Sequence, residues 1–152
     1  MDKAVGFTNN YVGYDFFNDA CVFISKALDI KYALIGKFAI SSYHEVQTLS
    51  LVKDGEVLPA YTYTLKNTPC ENVLFNRICF YPDNVQKHFP SDKELQVLDV
   101  HSYMGISLAD TEDNRLGLLV LMDEKPFRNP ALAEEFITIL SPRVEEEVLR
   151  ST

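Results

Sequence analysis

The sequence predicts one α+β domain in which two strand hairpins are joined by short helices and flanked by longer helices. Three observations support this prediction. A helical apolar face precedes the first extended stretch, two pairs of β-rich segments each surround a polar turn, and a second helical stripe begins near Pro130. Antiparallel hairpins that alternate with separate helices are typical of the α+β class.

The first helix is predicted over residues 15–28. Its apolar residues recur at the spacing of one helical face, which is typical of a helix packed on a core. They are Phe16, Phe17, Ala20, Cys21, Phe23, Ile24, Ala27 and Leu28. Residues 32–38 are then predicted to be extended, and residues 45–53 end in Asp54-Gly55, which favours a hairpin turn before Val57 and Leu58. Residues 61–63 predict a short third strand.

Two capping boxes predict short helices between the hairpins. In the first box Thr68 is expected to cap, Pro69 takes the first helical position and Glu71 reaches back to the cap. Residues 77–81 are then predicted to be extended. The second box begins at Ser91 and starts a helix that ends at about residue 98.

The second hairpin is predicted over residues 101–108 and 116–123, with an apolar second strand that should be covered on both faces.

A long helix follows the Asn129 cap, and Pro142 is expected to kink or break it near Leu140. Its apolar stripe continues to Val148, where one small domain leaves little to cover. Two interpretations stay open, a partner helix from a second copy or adjoining domain, and fraying of the terminus.

Composition limits the size, partners and compartment of the protein. With 152 residues, 47% of them hydrophobic, the chain suffices for one core. The longest apolar run is far shorter than a membrane helix and the first residues lack a signal-peptide pattern, so we expect a cytoplasmic protein. A net charge of −8 argues against nucleic acid and anionic membrane surfaces as partners. The three cysteines are expected to be reduced.

Four stretches of the sequence resemble the GAF domain, a PAS-like sensory fold. They are ALDIKYALIGKF, NTPCENVL, YPDNVQKHFPSDKELQVLDVHSYMGISLAD and DNRLGLLVLMDEKPF. The resemblance covers residues 14–150 and leaves residues 1–13 as an N-terminal extension. It is greatest to the bacterial GAF domains found upstream of PAS, histidine kinase or diguanylate cyclase modules.

The resemblance implies an antiparallel sheet of five or six strands, with long N- and C-terminal helices on one face and short helices and loops on the other. It implies a small-molecule pocket on the loop face, a homodimer formed by the terminal helices, and a signalling output module in cis or trans. We therefore expect a non-catalytic sensor in which a ligand shifts the packing of the terminal helices. The sequence identifies neither the ligand nor a cofactor.

Two alternatives to the sensor stay open. A thiol-dependent enzyme of the free methionine sulfoxide reductase type would use Cys70 as the nucleophile and Cys79 as the resolving thiol. The expected helix start at Cys70 could lower a thiol pKa, but no cysteine follows Cys79. A pure dimerisation module would bind no ligand and would have a filled interior.

The candidate ligand-binding residues combine an apolar body with a polar tip, or lie beside such residues in the predicted strands. They are Tyr63, Arg77, Cys79, Tyr81, His101 and Tyr103. Arg77 is the expected cation for an anionic ligand. The three histidines lie too far apart to predict a metal site, and a bilin has no cysteine next to His101 to attach to. His101 would be the axial ligand of a haem, although a structural histidine explains it more simply.

Overall fold

In the computed structural model, which describes residues 2–11, 13–39 and 42–151, an antiparallel sheet separates two layers of helices. Within these ranges the strands are β1 (Tyr32–Ala39), β2 (Ser42–Lys53), β3 (Glu56–Val57), β4 (Thr62–Thr64), β5 (Ile78–Tyr81), β6 (Ser102–Ala109) and β7 (Arg115–Asp123). The order across the sheet is β3-β2-β1-β7-β6-β5, and β4 also pairs with β2. The predicted α+β class with a central antiparallel sheet is confirmed.

The helices divide between the two faces of the sheet as the resemblance to GAF domains implies. They are α1 (Asp2–Asn10), α2 (Phe16–Leu28), α3 (Pro69–Phe75), α4 (Val85–His88), α5 (Lys93–Val97) and α6 (Pro130–Arg150). Side chains of α1, α2 and α6 share one apolar core with one face of the sheet, and side chains of α3, α4 and α5 share a second core with the other face. Within the described ranges, no helix is long and apolar enough to cross a bilayer.

The central strands β1 and β7 contribute to both cores because successive side chains of a strand point to opposite faces. Ala33 and Ile35 of β1 lie in the core with the long helices, whereas Leu34 lies in the core with the short helices. In β7, Leu119 and Leu121 alternate with Val120 in the same way. Burial on both faces explains the near-continuous apolar sequence of β7.

Helix α1 covers the C-terminal stripe of α6. Ala4 lies in the same buried cluster as Val144 and Val148, and Val148 is only 1% exposed. Arg143 fixes this contact, since its Nη1 donates to the carbonyl of Thr8 at 2.8 Å. The sequence interpretation that one chain leaves this part of the stripe uncovered is therefore wrong, because the segment assigned to an extension contains a helix that covers it.

Helix α6 continues through Pro142, so of the two expected effects of this proline, a kink or a break near Leu140, the break does not occur. A proline inside a helix leaves the carbonyl four residues earlier without its usual amide donor. Here that carbonyl belongs to Thr138, and it accepts a hydrogen bond from Oγ of Ser141 at 3.1 Å. The serine before the proline thus supplies the missing donor.

Both capping boxes mark real helix starts, but neither forms the predicted cap. Thr68 is the cap residue of α3, yet its Oγ1 donates to the carbonyl of Leu65 at 2.7 Å instead of accepting from the helix. Helix α5 is capped by Asp92, whose Oδ1 accepts from the amide of Glu94 at 3.1 Å, and not by Ser91. Aspartate caps a helix as well as serine does, so the start moves by one residue.

Gly117 allows β7 to approach β1 closely, and replacing it should destabilise the fold. A Cβ atom at this position would lie 2.0 Å from the carbonyl oxygen of Gly36 and 2.9 Å from the Cα of Lys37. We predict that Gly117→Ala lowers the free energy of unfolding in urea by at least about 1–3 kcal/mol, the usual cost of overpacking.

The matched control is Gly6→Ala in α1, where a Cβ atom would meet nothing within 4 Å. Because alanine favours a helix over glycine, this variant should gain about 0.5–1 kcal/mol. Equal stability of Gly117→Ala and the unsubstituted protein would contradict the close approach of the two strands.

Candidate ligand-binding site

A cavity of about 260 Å³ lies between the sheet and the segments that cover its second face. Its floor is formed by β1, β6 and β7, and its walls by β4, the start of α3 and α5. The lining residues are Leu34, Tyr61, Tyr63, Thr64, Lys66, Thr68, Pro69, Cys70, Ser91, Asp92, Lys93, Glu94, Leu95, Leu98, Tyr103, Val120 and Met122. This volume is near the lower end of small-molecule pockets, about 300–1,000 Å³.

The floor of the cavity is apolar. Leu34, Val120 and Met122 come from the central strands and are each less than a tenth exposed. They reach the cavity because they alternate with the residues that face the long helices. The floor can therefore hold the apolar part of a ligand, but it offers no polar side chain to orient one.

A buried thiol with two tyrosine hydroxyls forms the inner wall. Tyr103 Oη donates to Sγ of Cys70 at 3.0 Å, and Tyr63 Oη lies 3.3 Å from the same sulfur. Burial raises the pKa of the Cys70 thiol and raises the pKa values of Tyr63 and Tyr103 well above 10. All three groups are thus protonated at neutral pH, and Cys70 is not the activated thiolate that a reductase needs.

Two carboxylates lie where the cavity meets solvent. Tyr61 Oη donates to Oε2 of Glu94 at 3.1 Å, which joins the wall formed by the segment before β4 to α5. Asp92 caps α5 and is half-buried, and this burial raises the pKa of its carboxyl group. Lys66 and Lys93 also line the opening, but both side chains are exposed.

Helix α5 is held over the sheet by only a few contacts. Leu95 is 3% exposed and is the main apolar anchor of the helix. After the helix, the carbonyl of Leu98 accepts a hydrogen bond from Oη of Tyr32 on β1 at 2.9 Å. The amide of Val100 donates back to the carbonyl of Leu95 at 2.8 Å. This wall is therefore a five-residue helix with one buried apolar anchor.

The structure brings two of the six predicted site residues, Tyr63 and Tyr103, to the cavity. Cys79 and Tyr81 lie on β5, which pairs with β6 beyond Tyr103. The ring of Tyr81 lies 6.1 Å from that of Tyr103, and its hydroxyl accepts from Nδ2 of Asn72 at 2.8 Å. Tyr103 therefore separates this pair from the cavity.

Arg77 and His101 also lie outside the cavity. Arg77 is exposed just before the edge strand β5, where its Nη1 contacts the carbonyl of Ser107 at 3.5 Å. His101 precedes β6, and its Nε2 lies 3.0 Å from Oδ1 of Asp99 near the surface. Both side chains have protein partners at the edge of the domain, so neither can orient a molecule in this cavity.

Sequence reasoning missed the wall formed by Tyr61, Asp92 and Glu94. The second capping box does locate the two acidic residues at a helix start. Their position opposite Tyr61 depends on a contact between residues 33 positions apart, for which the sequence has no local pattern. Among the described residues, no cluster of histidine, cysteine and acidic side chains could hold a metal ion.

Comparison with solved structures shows which fold this architecture belongs to. The chain is similar to the GAF domain of an Acinetobacter phosphoenolpyruvate-protein phosphotransferase, with a TM-score of 0.73 and 14% identity over 99% of this chain and 90% of that one. It is also similar to a bacteriophytochrome from R. palustris, with a TM-score of 0.71 and 12% identity over 95% of this chain and 36% of that one. The chromophore-binding domain of a Stigmatella aurantiaca phytochrome gives a TM-score of 0.70 and 12% identity, over 95% of this chain and 57% of that one.

The chain has the GAF fold. It spans about a third to just over half of the two phytochrome chains. No protein-family model matches the sequence, and a search of curated proteins finds no match. At 12–14% identity the likeness shows the fold alone.

The environment of the three cysteines predicts an order of reactivity. Burial raises the pKa of Cys21 to about 12 and also raises the pKa values of Cys70 and Cys79, but only Cys79 is partly exposed. We expect a disulfide reagent at pH 8 to modify Cys79 in the folded protein, and Cys21 and Cys70 only after unfolding. Peptide mapping by mass spectrometry would identify each site.

The control for this experiment is Cys79→Ser, which should leave no fast-reacting thiol in the folded protein. Modification of Cys70 as fast as Cys79 would contradict its burial and would favour the thiol-enzyme alternative.

Proposed function

We propose that this protein is a sensory domain that binds a small molecule in the cavity under α5. The main support is the cavity itself, which combines an apolar floor with tyrosine, thiol and carboxylate groups on its walls. The GAF fold agrees with this proposal, because the similar structures include a domain described as chromophore-binding. The sensory unit would comprise residues 14–150, preceded by an N-terminal extension whose helix α1 packs on α6.

Binding without catalysis is the better interpretation of the inner wall. The Cys70 thiol has two tyrosine hydroxyls as partners and a raised pKa, so it lacks the thiolate character of a nucleophile. In a binding site, the same hydroxyls can exchange their contact with sulfur for a contact with a ligand. A module that only dimerises would not require this cavity.

Signal transduction would pass through the central strands. Leu34 and Val120 contact the cavity, while their neighbours Ile35 and Leu119 contact the layer of long helices. A ligand that favours one arrangement of α5 and the floor would also favour one packing of α2 and α6. These two helices would transmit the change to a second copy of the chain or to an output module.

A native mass spectrum of protein purified from its own host tests ligand binding. We expect the native spectrum to show the protein with the additional mass of one small molecule, and we expect this mass to be absent when the protein is unfolded. Val120→Phe should place a ring where the apolar part of the ligand would rest, and a steric clash of about 1–3 kcal/mol would weaken binding about fivefold or more. Val120→Leu adds a single methylene at the same position and should retain the bound mass.

Thermal-shift screening of a metabolite panel provides a second readout for a ligand lost on purification. If no bound mass is found and no panel compound stabilises the protein, the proposal of ligand binding is wrong. If Val120→Phe binds the ligand as tightly as the unsubstituted protein does, the binding site lies elsewhere on the protein.

The homodimer remains a prediction, and the helix layer supplies two side chains with which to test it. Val5 of α1 is 41% exposed and Leu149 of α6 is 45% exposed. We expect light scattering to show a dimer. The double variant Val5→Lys and Leu149→Lys should raise the dissociation constant of this dimer at least about tenfold, because apolar contact between the subunits is lost. Val97→Lys on α5 is the control, as Val97 is 81% exposed on the opposite face. A monomer at high protein concentration would count heavily against signalling through a dimer.

A further inference from the structure

We propose that the cavity selects a small organic cation, with an ammonium group attached to an apolar body. This inference rests on the proposed function, because it assigns a ligand class to the same cavity. Two carboxylates, three tyrosine rings and an apolar floor surround one space, and this combination favours a positive head on an apolar body.

The carboxylates lie close enough to the inner wall to set its electrostatic potential. Asp92 is half-buried, and Glu94 is fixed by the hydroxyl of Tyr61. After burial, the charge of Glu94 is the largest cause that raises the pKa of Tyr61, and Asp92 acts in the same direction on Tyr61 and Tyr63. Negative charge at the opening therefore acts on the cavity wall as far as Tyr63.

The lysines at the opening do not offer a comparable site for an anion. Lys66 and Lys93 are exposed, and a lysine side chain keeps its ammonium group in water when it can. Asp92, in contrast, is partly removed from water by the fold. An anionic ligand would approach Asp92 and Glu94 without a buried cation to balance them, whereas a cationic ligand would neutralise them.

Aromatic rings complete the surroundings of a positive head group. The rings of Tyr61 and Tyr63 lie with centroids 5.7 Å apart, and Tyr103 lines the same cavity. The faces of tyrosine rings attract ammonium groups, and the effect grows when water is excluded. The apolar body of the ligand would then rest on Leu34, Val120 and Met122.

Three probes of nearly equal size and different charge test the inference: benzylammonium, benzoate and benzyl alcohol. The methyl group of Met122 lines the cavity, whereas that of Met104 lies in the core on the opposite face of the sheet. In a sample with ¹³C-labelled methionine methyl groups, benzylammonium should shift the Met122 signal and leave Met104 unchanged. Benzoate and benzyl alcohol should bind at least about tenfold more weakly than benzylammonium. Each lacks the charged hydrogen bond to a carboxylate, and the loss of such a bond usually reduces affinity by at least about this factor.

Charge variants at the opening separate the carboxylates from the lysines. Asp92→Asn retains an oxygen that can cap α5 but removes the charge, and it should weaken benzylammonium binding about tenfold or more. Lys93→Gln removes a positive charge from the opening and should bind benzylammonium at least as tightly, and Lys87→Gln on α4, outside the cavity, is the control. Circular dichroism of all these variants would verify that α5 and the fold are retained.

The outcomes distinguish this inference from the proposed function. If benzoate or benzyl alcohol shifts Met122 at a concentration as low as benzylammonium does, the cavity binds ligands but the cation assignment is wrong. The assignment is also wrong if Asp92→Asn binds benzylammonium normally. If none of the three probes shifts Met122, the cation assignment is wrong. The proposed function fails as well only if the native mass spectrum shows no bound molecule and no panel compound stabilises the protein.

Discussion

The pairing of β1 with β7 is the constraint on which the rest of the structure depends. These two strands lie in the middle of the sheet and are covered on both faces. Their register places the backbone of Gly117 directly beside that of Gly36 and Lys37, where a larger residue would separate the strands. Because both cores take side chains from this pair, a change in its spacing would alter the two layers at once.

The two layers differ in how they cover the sheet. The long-helix side is covered by α1, α2 and α6, with aromatic contacts such as the stacked rings of Phe7 and Phe23 at 4.6 Å. The other side is covered by short helices and a three-residue strand, and it leaves a cavity. Both layers pack on side chains of the same sheet, and the communication between site and interface that we propose depends on this shared packing.

Most of the fold could be predicted from the sequence because its determinants are local. The Asp54-Gly55 turn, the start of α3 at Pro69 and the apolar stripes of α2 and α6 can all be recognised within about ten to twenty residues. Helix α1 could not, since its stability comes from contacts with α2 and α6. The candidate site was predictable only where strand alternation placed Tyr63 and Tyr103 on the correct face. The remaining walls depend on tertiary contacts between distant segments.

The hydrogen bond from Arg143 to Thr8 joins residues 135 positions apart in the chain. During translation, α1 therefore leaves the ribosome long before its partner helix exists. Chains emerge at about 5–20 residues per second, so for several seconds α1 has only α2 to pack on, through contacts such as that of Phe7 with Phe23. During this interval the surface of α1 that later faces Val144 and Val148 lacks its final cover, and the nascent chain carries an apolar patch that the finished domain buries.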